Sequence, residues 1–423
     1  MRANTTSTRI LLGLVLGLGL GIALANSGAT WLESAIGTAE PIGSMWMDAL
    51  RMTIVPLVFS LLVTGIASSA SAASAGGLAA RALATFAVLL FGVGLFGEAA
   101  TQAFLTIWPI PAEAAGALHS AINSGGTVPA GAPLAQWLSA LVPANPIKAA
   151  AEGEMLPLVL FAIVFGFAVI RLPSARARTL MDFFQAIVDT MLVIVHWVIL
   201  VAPVGVFALA FVVGARAGVH AANALAHYLA LLVSVQVLLI VLIYPCALLW
   251  GKIGIGRFAR AVAPPQAVAT STQSSLASLP AMLEAAQALD LPPRVSAMVL
   301  PLAVSVFRIT SPVANLAVVL YSAALFGVEP TLAQYLAGAA LAVAMSFASV
   351  GLPGQVSFFA SIVPLCAAMG VPAGALPLLL AVETIPDIFR TVGNVTGDVG
   401  ITAVLARSRA AALVIAAEPE QTP

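Results

Sequence analysis

Glu383, Asp387, Arg390 with Thr391, Asn394 and Asp398 recur at i, i+4, i+7/i+8, i+11 and i+15. That spacing gathers them into one polar stripe on a helix whose other faces carry Ile, Val, Phe and Leu. Ionisable groups are costly where a spanning helix turns them to lipid, so such a stripe faces an aqueous cavity or a binding site. The planar fork of Arg390 suits a carboxylate, and Asp387, one turn earlier, can accept hydrogen bonds from an ammonium group. Together they fit a zwitterion bearing a second carboxylate. The alternative is an ion pair of Arg390 with Asp387 that serves packing alone.

The surrounding chain is 61% hydrophobic and only 8% charged over 423 residues, with mean hydropathy +1.07. A soluble core of this size needs no such excess, so the composition predicts an all-α polytopic membrane protein. A net charge of zero without basic or acidic blocks gives no support to nucleic-acid binding. Cys246 and Cys366 lie in apolar stretches and imply neither a disulfide framework nor a metal site. His119, His196, His220 and His227 fall outside every motif. No nucleophile triad or phosphate loop stands in a context that would make an enzyme.

Apolar segments at 10–25, 47–66, 79–107, 156–170, 183–213, 228–250, 297–325 and 376–405 give eight expected spans. The first follows Arg2 and Arg9 and ends Ala-Leu-Ala, like a signal peptide with its cleavage site. A retained first helix is the favoured reading, because the remaining topology works with the N-terminus inside. Basic residues cluster at Arg171, Arg176 and Arg178, at Lys252, Arg257 and Arg260, and at Arg407 and Arg409, whereas residues 109–140 carry no Lys or Arg. The bias places both termini in the cytoplasm and outweighs the scattered Arg51, Lys148 and Arg216. Residues 261–289, broken at 270–280, and 336–369, broken at 349–354, each read as two half-length helices. Non-helical backbone at membrane depth must be buried in protein or line a cavity, so both read as re-entrant hairpins meeting at a site.

Several stretches resemble the dicarboxylate/amino acid:cation symporter family, the glutamate transporter homologues. They are Met52-Thr-Ile-Val-Pro-Leu-Val-Phe-Ser-Leu-Leu-Val-Thr-Gly65, Asn145-Pro-Ile-Lys-Ala-Ala-Ala-Glu-Gly153, Ser274-Ser275 with Leu279-Pro280, Gly351-Leu-Pro-Gly354 and Arg390-Thr-Val-Gly-Asn-Val-Thr-Gly-Asp398. The resemblance implies eight membrane helices and two hairpins, assembled as a homotrimer in a bacterial inner membrane. It also implies a scaffold over 1–78 and 131–223 and an elevator-type transport domain over 79–130 and 224–423. By the same resemblance Asp387, Arg390, Thr391 and Asn394 hold the substrate's amino group and side-chain carboxylate. Groups at the tips and at the seventh helix, among them Ser274, Ser275, Ser311, Leu352 and Gly354, complete the substrate site. Dicarboxylate-specific relatives tend to lack the acid matching Asp387, so its presence favours glutamate or aspartate over a C4-dicarboxylate.

The seventh helix departs from the family. Where relatives carry Asn-Met-Asp-Gly-Thr, this chain has Phe307-Arg-Ile-Thr-Ser311, and Pro312 follows, suited to open the second half-helix. Two units of negative charge are lost, and sodium, which needs about five or six oxygens, gains none from Phe307 or Ile309. Arg308 is therefore expected to act as a tethered substitute for a cation near Asp398 or Glu383, the alternative being a purely structural arginine. Glu383 or Asp387 is expected to carry a proton instead, and Asp398 with Asn394 retains one residual sodium site. A non-transporting membrane sensor and an anion channel remain as readings from other classes.

Overall fold

The computed structural model describes residues 2–27, 30–74, 77–113, 115–116, 142–348 and 354–408, and among them every long element is helical. The first half of the chain forms α1 (Arg2–Ser27), α2 (Leu32–Ser74), α3 (Gly77–Ile107), α4 (Pro146–Glu152), α5 (Met155–Val169), α6 (Ser174–Leu200) and α7 (Ala202–Ala217). The second half forms α8 (Val219–Leu249), α9 (Ile255–Thr272), α10 (Leu279–Ala288), α11 (Pro293–Val306), α12 (Thr310–Phe326), α13 (Leu332–Ala348), α14 (Gly354–Met369), α15 (Leu376–Val382) and α16 (Thr384–Ala406). Among the described residues six helical stretches are long and apolar enough to cross a bilayer, counting α11 with α12 as one.

The expected fifth span, 183–213, is two helices. The chain bends at Val201, just before Pro203, which has no backbone N–H to continue the ladder. The last span likewise divides at Glu383, so the polar stripe starts at a junction and runs down α16. Pro386 in the first turn of α16 suits that start.

Two groups of helices pack separately before they meet. In one, α1 lies on α7, and α2 lies on α5, α6 and α7. Glycine makes the first contact possible: Cβ atoms built on Gly13, Gly17 and Gly21 would fall 2.4–2.5 Å from the backbone carbonyls of Pro203, Phe207 and Phe211. Small residues let membrane helices approach this closely. The glycine-rich run, which sequence composition alone leaves anonymous, is thus the docking face of a helix built into the fold. Arg216 of α7 adds a fork to Glu40 of α2 at 2.8 and 3.1 Å.

In the other group α16 packs on α8, α9 and α11, while α12 packs on α3, α8 and α14. Both interrupted segments fold as helix pairs, α9 with α10 and α13 with α14. The 349–353 tip, including Leu352, lies outside the described residues, as does most of the 109–140 loop. The Asn145 motif closes a short capped helix: its Oδ1 accepts from the backbone of Ile147 and Lys148, and Gly153 ends α4 at φ 71°.

Candidate functional site

Arg390 is the centre of the site and is 2% exposed. Its Nη2 donates to Glu383 Oε1 at 2.5 Å and its Nη1 to Asn315 Oδ1 at 2.9 Å. Asp387 Oδ1 lies 4.0 Å from Nε, which has no hydrogen-bond partner among the described residues. The pairing partner of Arg390 is thus Glu383, one side of the helix junction, while Asp387 keeps 15% of its side chain exposed. A ligand carboxylate can address Nε directly and can displace Glu383 from Nη2. Asp387 remains beside it as an acceptor for an ammonium group. Tyr228 from α8 is fully buried within electrostatic range of Glu383 and Arg390, and its hydroxyl makes no hydrogen bond among the described residues.

Asn394 serves the helix break. Its Oδ1 accepts from the Thr310 backbone N–H at 3.0 Å and lies 2.7 Å from the Thr310 hydroxyl, which also lies 2.8 Å from the Arg390 carbonyl. The first turn of α12 is thereby tied to the middle of α16, satisfying a backbone donor that the break leaves over. The Thr391 hydroxyl returns to the Asp387 carbonyl of its own helix at 2.8 Å. Ser311 is buried, and its Oγ has no partner among the described residues.

The interruption expected at 307–311 is present, for α11 ends at Val306 and α12 begins at Thr310. Apolar contacts fill it. The Phe307 ring, 1% exposed, stacks on Phe86 of α3 with centroids 4.6 Å apart. Ile309 presses on α16, its Cγ2 lying 2.6 Å from where a Cβ on Gly397 would stand. Asp398 is 1% exposed, and neither carboxylate oxygen has a hydrogen-bond partner among the described residues. It supplies two free oxygens to a cation, whereas Asn394 Oδ1 is engaged and Phe307 and Ile309 supply none. A residual sodium site here is therefore poorly furnished.

Arg308 sits in the break, with Nη1 3.4 Å from Ser357 Oγ of α14. Its electrostatic neighbours are Arg390, Asp387 and Asp398. Of the two acids weighed for Arg308, Asp398 acts on it electrostatically, as does Asp387, whereas Glu383 pairs with Arg390.

At the first tip Gln273 adopts a left-handed conformation (φ 51°), and its Nε2 reaches the Thr384 carbonyl at 3.5 Å. This joins the tip to the start of α16. Ser274 Oγ accepts from the Ala277 N–H at 3.2 Å, and the Ser275 carbonyl accepts from the Ser278 N–H. The Ser274 hydroxyl thus shapes the turn, and both serines are half-buried. Gly354 opens α14. Sequence reasoning missed Asn315, Thr310, Tyr228 and Ser357. Asn315 and Tyr228 stand in stretches without a charged residue that would single them out.

Paired half-helices around a buried arginine and three acids, in a chain with six stretches apolar enough to cross a bilayer, fit a membrane carrier. The sequence pattern of the Sodium:dicarboxylate symporter family matches residues 7–408, and the chain belongs to that family. It is a transporter and not an enzyme. The Proton/glutamate-aspartate symporter of Escherichia coli (strain K12) is 29% identical over 411 residues, covering 94% of this chain and 92% of that protein. The Proton/sodium-glutamate symport protein of Geobacillus stearothermophilus is 25% identical over 403 residues, 94% of this chain and 93% of its own length. The C4-dicarboxylate transport protein of Anaeromyxobacter sp. (strain K) is 26% identical over 437 residues, 99% of this chain and 94% of its own length.

Proposed function

We propose that the protein is a secondary active importer of glutamate or aspartate, driven by protons and independent of sodium. The observation that carries this reading is the Arg390–Glu383 pair with Asp387 beside it. Glu383 and a substrate carboxylate compete for one guanidinium. A proton on Glu383 frees Nη2 for the substrate, so proton and substrate bind together, and each promotes the other. Asp387 takes the substrate's amino group. Arg308 supplies the positive charge that a cation would bring to Asp398, and Phe307 and Ile309 occupy the space of its missing ligands.

In this reading the helices over 79–130 and 224–423 move as an elevator past a trimeric scaffold of 1–78 and 131–223, in a bacterial inner membrane with both termini cytoplasmic. The separate packing of α1, α2, α5, α6 and α7 on one hand and of α8, α9, α11 and α16 on the other supports that division. Import of a C4-dicarboxylate is the second reading, supported by the similarity to the protein of that name. Reconstituted Arg390→Ala tests the proposal. Two charge-assisted hydrogen bonds at roughly 1.5–3 kcal/mol each make the expected loss of glutamate affinity at least about 100-fold. Wild-type affinity in this variant would remove Arg390 from the site. Succinate outcompeting glutamate on the wild type would transfer the assignment to the second reading.

A further inference from the structure

Apart from Glu383 and Asp398, Glu98 of α3 is the one fully buried acid among the described residues. It is 4% exposed, and its Oε1 has no hydrogen-bond partner among them. It belongs to the stripe Phe86, Leu90, Gly94, Gly97 and Thr101 that α3 buries against α12 and α13. The contact is tight there: a Cβ on Gly97 would stand 2.8 Å from Val313 Cα.

The elements packed on α3 bring Glu98 no counter-charge among the described residues. On α12 the titratable group is Tyr321, whose hydroxyl donates to the Ala224 carbonyl at 2.7 Å. On α8, His227 Nε2 lies 2.9 Å from the Trp108 carbonyl. On α2, Asp48 and Arg51 pair with each other at 3.5 Å. Arg308, after α11, acts on Asp387 and Asp398. The remaining neighbour is Tyr335 of α13, which interacts electrostatically with Glu98 and with the exposed Glu329. Its hydroxyl accepts from Gln102 Nε2 at 2.5 Å, and Gln102 follows Glu98 by one turn of α3. Exposed Gln102, hydrogen-bonded to half-buried Tyr335, thus stands one turn from a carboxyl about 14 Å short of the end of α3 at Ile107.

An uncompensated carboxylate is expensive in such surroundings, and the neutral acid is not. We propose that Glu98 is a second proton-binding site, separate from the α16 acids, reached from the end of α3 that carries Gln102. One proton from water adds to the carboxylate to give the carboxylic acid, and the same proton leaves on the other side. The proposal rests on the proton-coupled reading of transport.

Two measurements test it. Wild-type protein in liposomes is treated with dicyclohexylcarbodiimide, which reacts with protonated carboxyls in apolar surroundings, and the adducts are mapped by mass spectrometry. Labelling of Glu98 that declines as pH is raised is the expected result; no adduct at any pH, or a yield indifferent to pH, overturns the proposal. Proton flux per glutamate is then followed with a pH-sensitive dye. Glu98→Gln should carry one proton fewer than wild type while still exchanging internal for external glutamate, and an unchanged ratio overturns the proposal. Where the variant does not exchange glutamate, the labelling result decides. Absence of proton flux in wild type would sink the proton-coupled reading, while labelling would still report whether Glu98 holds a proton.

Discussion

Glu383→Gln separates the competition mechanism from a merely structural ion pair. The carboxylate occupies Arg390 Nη2 at 2.5 Å, and both side chains are 3% exposed. A hydrogen bond to a charged group is worth about 1.5–3 kcal/mol and a neutral one about 1, so glutamine competes less well by roughly 1–2 kcal/mol. Substrate affinity should rise about 5- to 30-fold at pH values where Glu383 is ionised. The sign of the pH dependence follows. In wild type, protonating Glu383 frees the arginine, so affinity climbs as pH falls; in Glu383→Gln it should be flat at the high value. Leaving a charge without its buried partner costs about 3–5 kcal/mol in general. Here Asn315 at 2.9 Å and Asp387 at 4.0 Å remain to hold the guanidinium, so the variant should fold. The assay is competition of labelled glutamate on reconstituted protein across pH, with accumulation under an imposed proton gradient. A variant that keeps the wild-type pH profile and accumulates glutamate as well as wild type would refute the mechanism.

Restoring cation ligands should change the driving ion. Phe307→Asn, Arg308→Met and Ile309→Asp together should introduce sodium-stimulated uptake, whereas Arg308→Met with Ile309→Asp should give less, because Phe307 would still stack on Phe86; sodium-indifferent uptake by an active triple variant would count against Arg308 as a cation substitute. Gly17→Leu should lower the thermal unfolding midpoint in detergent, since a Cβ there meets the Phe207 carbonyl oxygen at 2.4 Å and overpacking costs about 1–3 kcal/mol. Gly19→Leu, with open space around it, should melt like wild type, and equal melting of the two variants would contradict the docking of α1 on α7.

Charged and polar residues, glycine and proline that interrupt an apolar pattern were legible: the stripe from Glu383 to Asp398, the two broken segments and the interruption at 307–309 all stand out against the hydrocarbon-like background. Glu98 also breaks that background, but one acid on a 31-residue helix creates no periodicity and invites no motif. Asn315 was hidden for another reason. Nearly all of α12 is buried, so the small hydroxyls of Ser311 and Ser322 on the same face read as ordinary helix-packing residues and do not mark Asn315 as part of a site. The partner of Arg390 was missed because helical spacing places both Glu383 and Asp387 within reach, and only the side-chain directions at the junction choose between them. The bend at Val201 escaped because proline is common in membrane helices and Pro203 lies inside an unbroken apolar run.

Uptake of labelled glutamate by wild-type protein in liposomes, with either a proton gradient or a sodium gradient imposed alone, is the most direct test of the proposed proton-driven, sodium-independent import. Acid outside should drive accumulation, and inward sodium at equal pH should not. Accumulation on sodium alone, matching that on protons, would contradict the account.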